Sequence, residues 1–194
     1  MSELFSYASM GFRHITDLAA LDHLLFLVAL VAPYRLRDWR HLVLVATAFT
    51  IGHSLTLALV VTRIVTLPTT VIEFLIPVTI VAAALENLRR GGAPRIGWRR
   101  AALAGSFGLI HGAGFANFLR TMFDGPIVLP LLSFNTGIEL GQLLIISATL
   151  VLFTAADKIV AVRLPAQSHR IRAATASVIV AAWALAMAAG RVPW

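Results

Sequence analysis

Residues 42–62 read LVLVATAFTIGHSLTLALVVT, a run without one Asp, Glu, Lys or Arg and with a histidine at its middle. At ~1.5 Å of rise per residue, a helix of this length spans the ~30 Å of hydrocarbon in a bilayer. Working outward, comparable apolar runs occupy residues 15–32, 69–88, 101–120, 128–153 and 172–189, separated by Pro, Gly and Arg-rich connections. With 59% hydrophobic and 13% charged residues in 194 positions, the composition leaves no room for a separate soluble domain. The expected fold is all-α: one transmembrane domain over residues 1–194, a polytopic bundle of about six spans with the lipid bilayer as its partner.

The positive charge explains orientation rather than nucleic-acid binding. Arg35, Arg37, Arg40, Arg89, Arg90, Arg95, Arg99, Arg100, Lys158, Arg163, Arg170 and Arg172 fall on one side of the predicted spans, against Arg13, Arg63, Arg120 and Arg191 on the other. The positive-inside rule then places both termini outside the cytoplasm, as in a multi-pass protein of a cell membrane, for which a bacterial inner membrane is expected. Residues 1–10 contain no Lys or Arg and no cleavage pattern, so they do not read as a signal peptide and are assigned to the interface. Trp39, Trp98 and Trp194 suit an aromatic belt. Two small-residue pairs, Gly108/Gly112 and Gly137/Gly141, suggest that the fourth and fifth predicted helices pack together. Phe49/His53 and Phe107/His111 repeat one spacing, a faint sign of internal repetition. A homo-oligomer is compatible with the pattern.

Ionisable residues inside such runs cost at least ~2.5–3.5 kcal/mol for an ionised carboxylate, so each needs a partner or a function. Counting from the predicted helix ends at ~1.5 Å per residue puts Asp22 and His23 at ~11 Å, and His53, His111 and Glu139 at ~15–16 Å, all near mid-membrane. Glu86 lies closer to the Arg-rich side, with Asn87 beside it. Asn135, Glu139 and Gln142 share one helix face, which should look inward. His14 is either a ligand on the way in or an interfacial histidine. His41 and His169, flanked by Arg, are read as solvated; Glu73 and Asp124 are interfacial charges able to attract cations.

Without cysteine, any metal falls to nitrogen and oxygen ligands, and imidazoles favour Zn, Cu, Fe and Ni over Mg or Ca. The metal set expected is Asp22, His23, His53, His111 and Glu139, with His14, Glu86 and Asn135 supporting it or lining a pathway. Asp22 is positioned to orient an imidazole, for which His53 and His111 are candidates. Two functions follow: a permease or metal-handling protein that desolvates the ion at mid-membrane, or an intramembrane zinc hydrolase in which Ser54 or Glu139 assists a metal-bound water.

Asp22-His23-Leu24-Leu25-Phe26, TAFTIGHSLTLAL from Thr47, ALENL from Ala84, FGLIHGAGF from Phe107 and FNTGIELGQL from Phe134 together resemble the HupE/UreJ family over roughly residues 12–150. The resemblance implies a hydrogenase or urease accessory membrane protein that acts as a nickel permease or handles nickel, with zinc, cobalt or copper as the alternative ions. It carries over to Asp22, His23, His53, Glu86, His111, Asn135 and Glu139. The family's first-helix motif is similar to His-x5-Asp-His, whereas here His14 precedes Asp22 by eight positions.

Overall fold

The computed structural model describes residues 2–94, 97–121, 126–162, 164 and 166–193, without the side chains of Ser2, Asn117 and Arg120; Arg95, Asp124, Arg163 and Trp194 lie outside the described residues. Its helices are α1 (Ser2–Thr16), α2 (Leu21–Val31), α3 (Trp39–Val61), α4 (Thr69–Arg89), α5 (Trp98–Arg120), α6 (Val128–Ala161) and α7 (Ser168–Ala189), with a 3-10 turn at Leu36–Asp38 before α3.

α3, α4, α6 and α7 are long and apolar enough to cross a membrane, and α1 with α2 adds a fifth span if that bent pair is counted as one. α5 matches α3 in length, but Arg99, Arg100 and its glycines keep it less apolar than those four. The outer face of α6 carries Leu129, Leu132, Leu140, Leu144 and Val151, all more than half exposed, a stripe that lipid rather than water solvates. The molecule is therefore a multi-span membrane bundle of helices.

The expected first helix at 15–32 is corrected. The chain bends by 71° between α1 and α2, across residues 17–20. Asp17 makes the break: its Oδ1 accepts from the Ala19 backbone N–H at 2.9 Å, and its carbonyl accepts from Ala20 N–H at 3.1 Å. An aspartate that turns the chain through its own side chain leaves no Pro or Gly in the sequence to mark the break. The N-terminal segment is accordingly a helix of the bundle, packed on α6, rather than an interfacial strip.

The glycine pairs also find partners other than those expected. α5 packs on α3, and α6 on α1. A methyl group added at Gly108 or Gly112 would collide with the Phe49 or His53 carbonyl of α3; one added at Gly137 would meet the Ala8 carbonyl of α1. In both pairs residue numbers rise together, so the helices run parallel, and van der Waals contact between close backbones holds them. The parallel register of α3 and α5 brings Phe49/His53 level with Phe107/His111.

Candidate metal centre

Three imidazoles from three helices converge. His14 ends α1, His23 begins α2 just beyond the Asp17 turn, and His53 stands mid-way along α3; one nitrogen from each lies within 4.8 Å of the others. Ring centroids are 4.6 Å apart for His14 and His23, 6.1 Å for His14 and His53, and 6.5 Å for His23 and His53. The bend at Asp17 creates this meeting, because a straight helix through 14–23 would hold the two histidines about 13 Å apart along its axis. His111 of α5 flanks the group, 5.7 Å from the His23 ring.

His23, His53 and His111 are buried, yet among the described residues both nitrogens of His53 and of His23, Nε2 of His14 and Nδ1 of His111 have no hydrogen-bond partner. A buried polar atom left unpaired costs ~1–3 kcal/mol, so several gathered in one place point to a ligand that pairs them. Nitrogens that share one ion at ~2.0–2.1 Å stand no more than ~4.2 Å apart, so an ion would draw these three, which lie within 4.8 Å of one another, together. The residues fit a borderline transition metal.

Hydrogen bonding fixes the free lone pair of His111. Thr79 Oγ1 gives its one proton to the Ile76 carbonyl at 2.7 Å, so at 3.1 Å from His111 Nε2 it acts as acceptor. His111 is then protonated at Nε2, and its unpartnered Nδ1 presents a lone pair. Asp22 Oδ1 accepts from the His23 backbone N–H at 2.9 Å and lies 3.1 Å from His23 Nδ1, in ion-pair range but without hydrogen-bond geometry, so either ring nitrogen of His23 is free to meet a metal. The carboxylate expected to orient His53 or His111 thus sits beside its own neighbour.

A cavity of about 500 Å³ leads to the group, with His14, Asp22, His23 and His111 on its wall and Glu73 and Arg191 also lining it. Arg191 reaches Asp22 Oδ2 at 3.8 Å. A second cavity of about 750 Å³, lined by α1, shares His14 and Phe115 with the first. On the other side the route is shut. Phe26 stacks on Phe49 at 4.7 Å and meets Phe107 at 6.2 Å, and both Phe26 and Phe49 lie 5.3 Å from the His111 ring. Beyond a void of about 10 Å³ stands Arg100, which donates to Glu86 at 2.7 Å and to Asn87 at 3.2 Å.

Other residues singled out by sequence lie elsewhere. Glu139 accepts from the Thr47 hydroxyl and Gln142 Oε1 accepts from Thr50 at 3.1 Å, so their shared face looks at α3; Glu139 is outside the three-histidine group. Asn135 Oδ1 is buried without a partner among the described residues. Ser54 gives its proton to the Thr50 carbonyl at 2.6 Å, the usual helix back-bond. His169, expected in solvent, is 8% exposed, because Arg172 pulls the 32–34 segment over it through the Ala32 and Tyr34 carbonyls. Sequence reading misses Thr79, Phe115 and Arg191; Thr79, a lone hydroxyl two positions after Pro77 in an apolar run, is the detectable one.

The fold and site define a class: a multi-span membrane protein with a buried histidine site suited to a metal ion. The family model described as HupE / UreJ protein matches residues 1–190, and the chain belongs to that family. No curated protein and no solved structure matches it.

Proposed function

We propose that this protein carries a transition-metal cation, nickel foremost, across the membrane or holds it for an accessory partner, with the ion as cargo. The carrying observation is the convergence of His14, His23 and His53 with unpartnered nitrogens at the head of a cavity. The cation enters past Glu73, exchanges water for imidazole nitrogens, and meets a carboxylate beside them, Asp22. His111 supplies a further nitrogen from α5. This reading keeps Asp22, His23, His53 and His111, raises His14 from support to ligand, and leaves Glu139 as a proton site on α6. Nickel rests on the family resemblance and on the preference of imidazole for borderline ions.

With the histidines open to a cavity and the Phe26/Phe49/Phe107 layer closed, the structure suits the loading side of an alternating-access cycle. Release toward the Arg-rich side requires Arg100 and Glu86 to part. If the positive-inside rule holds, that side is cytoplasmic and transport is uptake.

The test is elemental content of detergent-purified protein loaded with nickel or zinc, for wild type and a His23→Ala/His53→Ala variant. One metal ion per chain, lost in the variant although it elutes as a folded species, is expected. A metal-free wild type, or a variant that keeps its ion, overturns the reading. Uptake into sealed vesicles then separates carrier from holder.

A further inference from the structure

At the Arg-rich end a cavity of about 410 Å³ opens between the 34–37 segment, the end of α6 and the start of α7. Its wall combines two chemistries. Leu150, Phe153 and Ala161 of α6 form an apolar side, and Arg35, Arg37, Lys158 and Arg172 a cationic one. Arg172 is committed to the fold: it bonds Asp157 at 2.9 Å, the Ala32 carbonyl at 2.9 Å and the Tyr34 carbonyl at 3.1 Å, and lies over the Phe153 ring at 4.6 Å. The other three cations are exposed. Among the described residues no carboxylate is in ion-pair range of Arg35 or Lys158, and Arg37 touches Asp38 only at 3.9 Å with its side chain 76% exposed. His169, 8% exposed, also lines the cavity and keeps Nε2 without a partner.

We propose that this cavity binds an anionic phospholipid, with the headgroup phosphate held by Arg35, Arg37 and Lys158 and an acyl chain laid along Leu150 and Phe153. Charge complementarity selects the headgroup, since cations without carboxylate partners form strong charge-assisted hydrogen bonds to phosphate oxygens. The apolar wall selects a lipid over free phosphate, which has nothing to place against it. A zwitterionic lipid brings its own ammonium into the same cationic field. Arg172 and Met187, on the walls of this cavity and of the metal-site cavity, are roughly 22 Å apart along α7, so the lipid site stands independently of the metal reading.

Native mass spectrometry of the full chain in detergent, offered equal amounts of phosphatidylglycerol and phosphatidylcholine, tests this. Bound phosphatidylglycerol should exceed phosphatidylcholine by about tenfold, and an Arg35→Gln/Lys158→Gln variant should lose most of that preference. Arg170→Gln, which removes an exposed cation of the same end from outside the cavity wall, should retain it. Equal uptake of the two lipids, an unchanged preference in the double variant, or an equal loss in Arg170→Gln overturns the proposal. Complete displacement of phosphatidylglycerol by millimolar inorganic phosphate would also overturn it, assigning the cavity to the free anion.

Discussion

Two polar clusters occupy the interior of this bundle, and they treat their hydrogen bonds in opposite ways. Toward the Arg-rich end, Arg100 bonds Glu86 and Asn87, while Asn87 reaches the Ala29 carbonyl at 2.7 Å and Ser177 at 3.3 Å, so that α2, α4, α5 and α7 are tied through one knot. Burial pushes the nearby Tyr34 phenol up to about 12, so it stays protonated beside that knot. Toward the other end His14, His23 and His53 gather with His111 beside them, and among the described residues several of their ring nitrogens are unpaired. A network that answers nearly all its own donors and acceptors is complete without a ligand; one that gathers lone pairs and leaves them idle is complete only with one. The same residue classes therefore serve structure in one half and recognition in the other.

That contrast can be broken by substitution. The largest effect is expected from Arg100→Ala, which removes the buried guanidinium bonded to Glu86 and Asn87 and should cost about 1.5–3 kcal/mol of stability, measured as resistance to denaturant in detergent, with metal stoichiometry unchanged in the folded fraction. A stable Arg100→Ala protein that had lost its metal would merge the two clusters into one functional unit. Next, Thr79→Val removes the acceptor that sets the His111 tautomer. Metal affinity should fall about 10–100-fold, as for other groups that orient ligands, with little change in stability. An unaltered affinity would remove His111 from the site. The smallest effect is expected at Arg191, whose guanidinium faces Asp22 across 3.8 Å. Arg191→Gln should tighten cation binding by a few-fold at low salt and by less at high salt, since the competing charge is partly exposed and screened.

Much of the candidate site is legible in the amino-acid sequence alone. Asp22, His23, His53 and His111 stand out because ionisable groups in lipid-length runs are costly, and that argument needs only hydropathy and helical rise. The sequence undervalues His14 for a specific reason. A continuous helix from 15 to 32 puts it at the membrane edge, and only the Asp17 turn swings α1 so that its last residues meet the start of α2. Glu139 shows the converse limit: depth alone cannot say which helix a side chain faces, and α6 turns that face to Thr47 of α3. The glycine pairs are recognisable as contact surfaces but not with their true partners, because a small-residue spacing marks a helix that packs closely without naming what it packs on.

By itself, the sequence determined that this chain is a bundle of lipid-solvated helices with histidines and carboxylates at depth, since both conclusions follow from the local cost of placing side chains and backbone in hydrocarbon. Only the tertiary structure decided that α1 pairs with α6 and α3 with α5, that a turn at Asp17 gathers His14 with His23 and His53, and that the knot around Arg100 pairs most of its groups while, among the described residues, the histidine group leaves ring nitrogens unpartnered. Those are properties of distances between segments remote in the chain, where packing and hydrogen-bond geometry, rather than composition, set the energy.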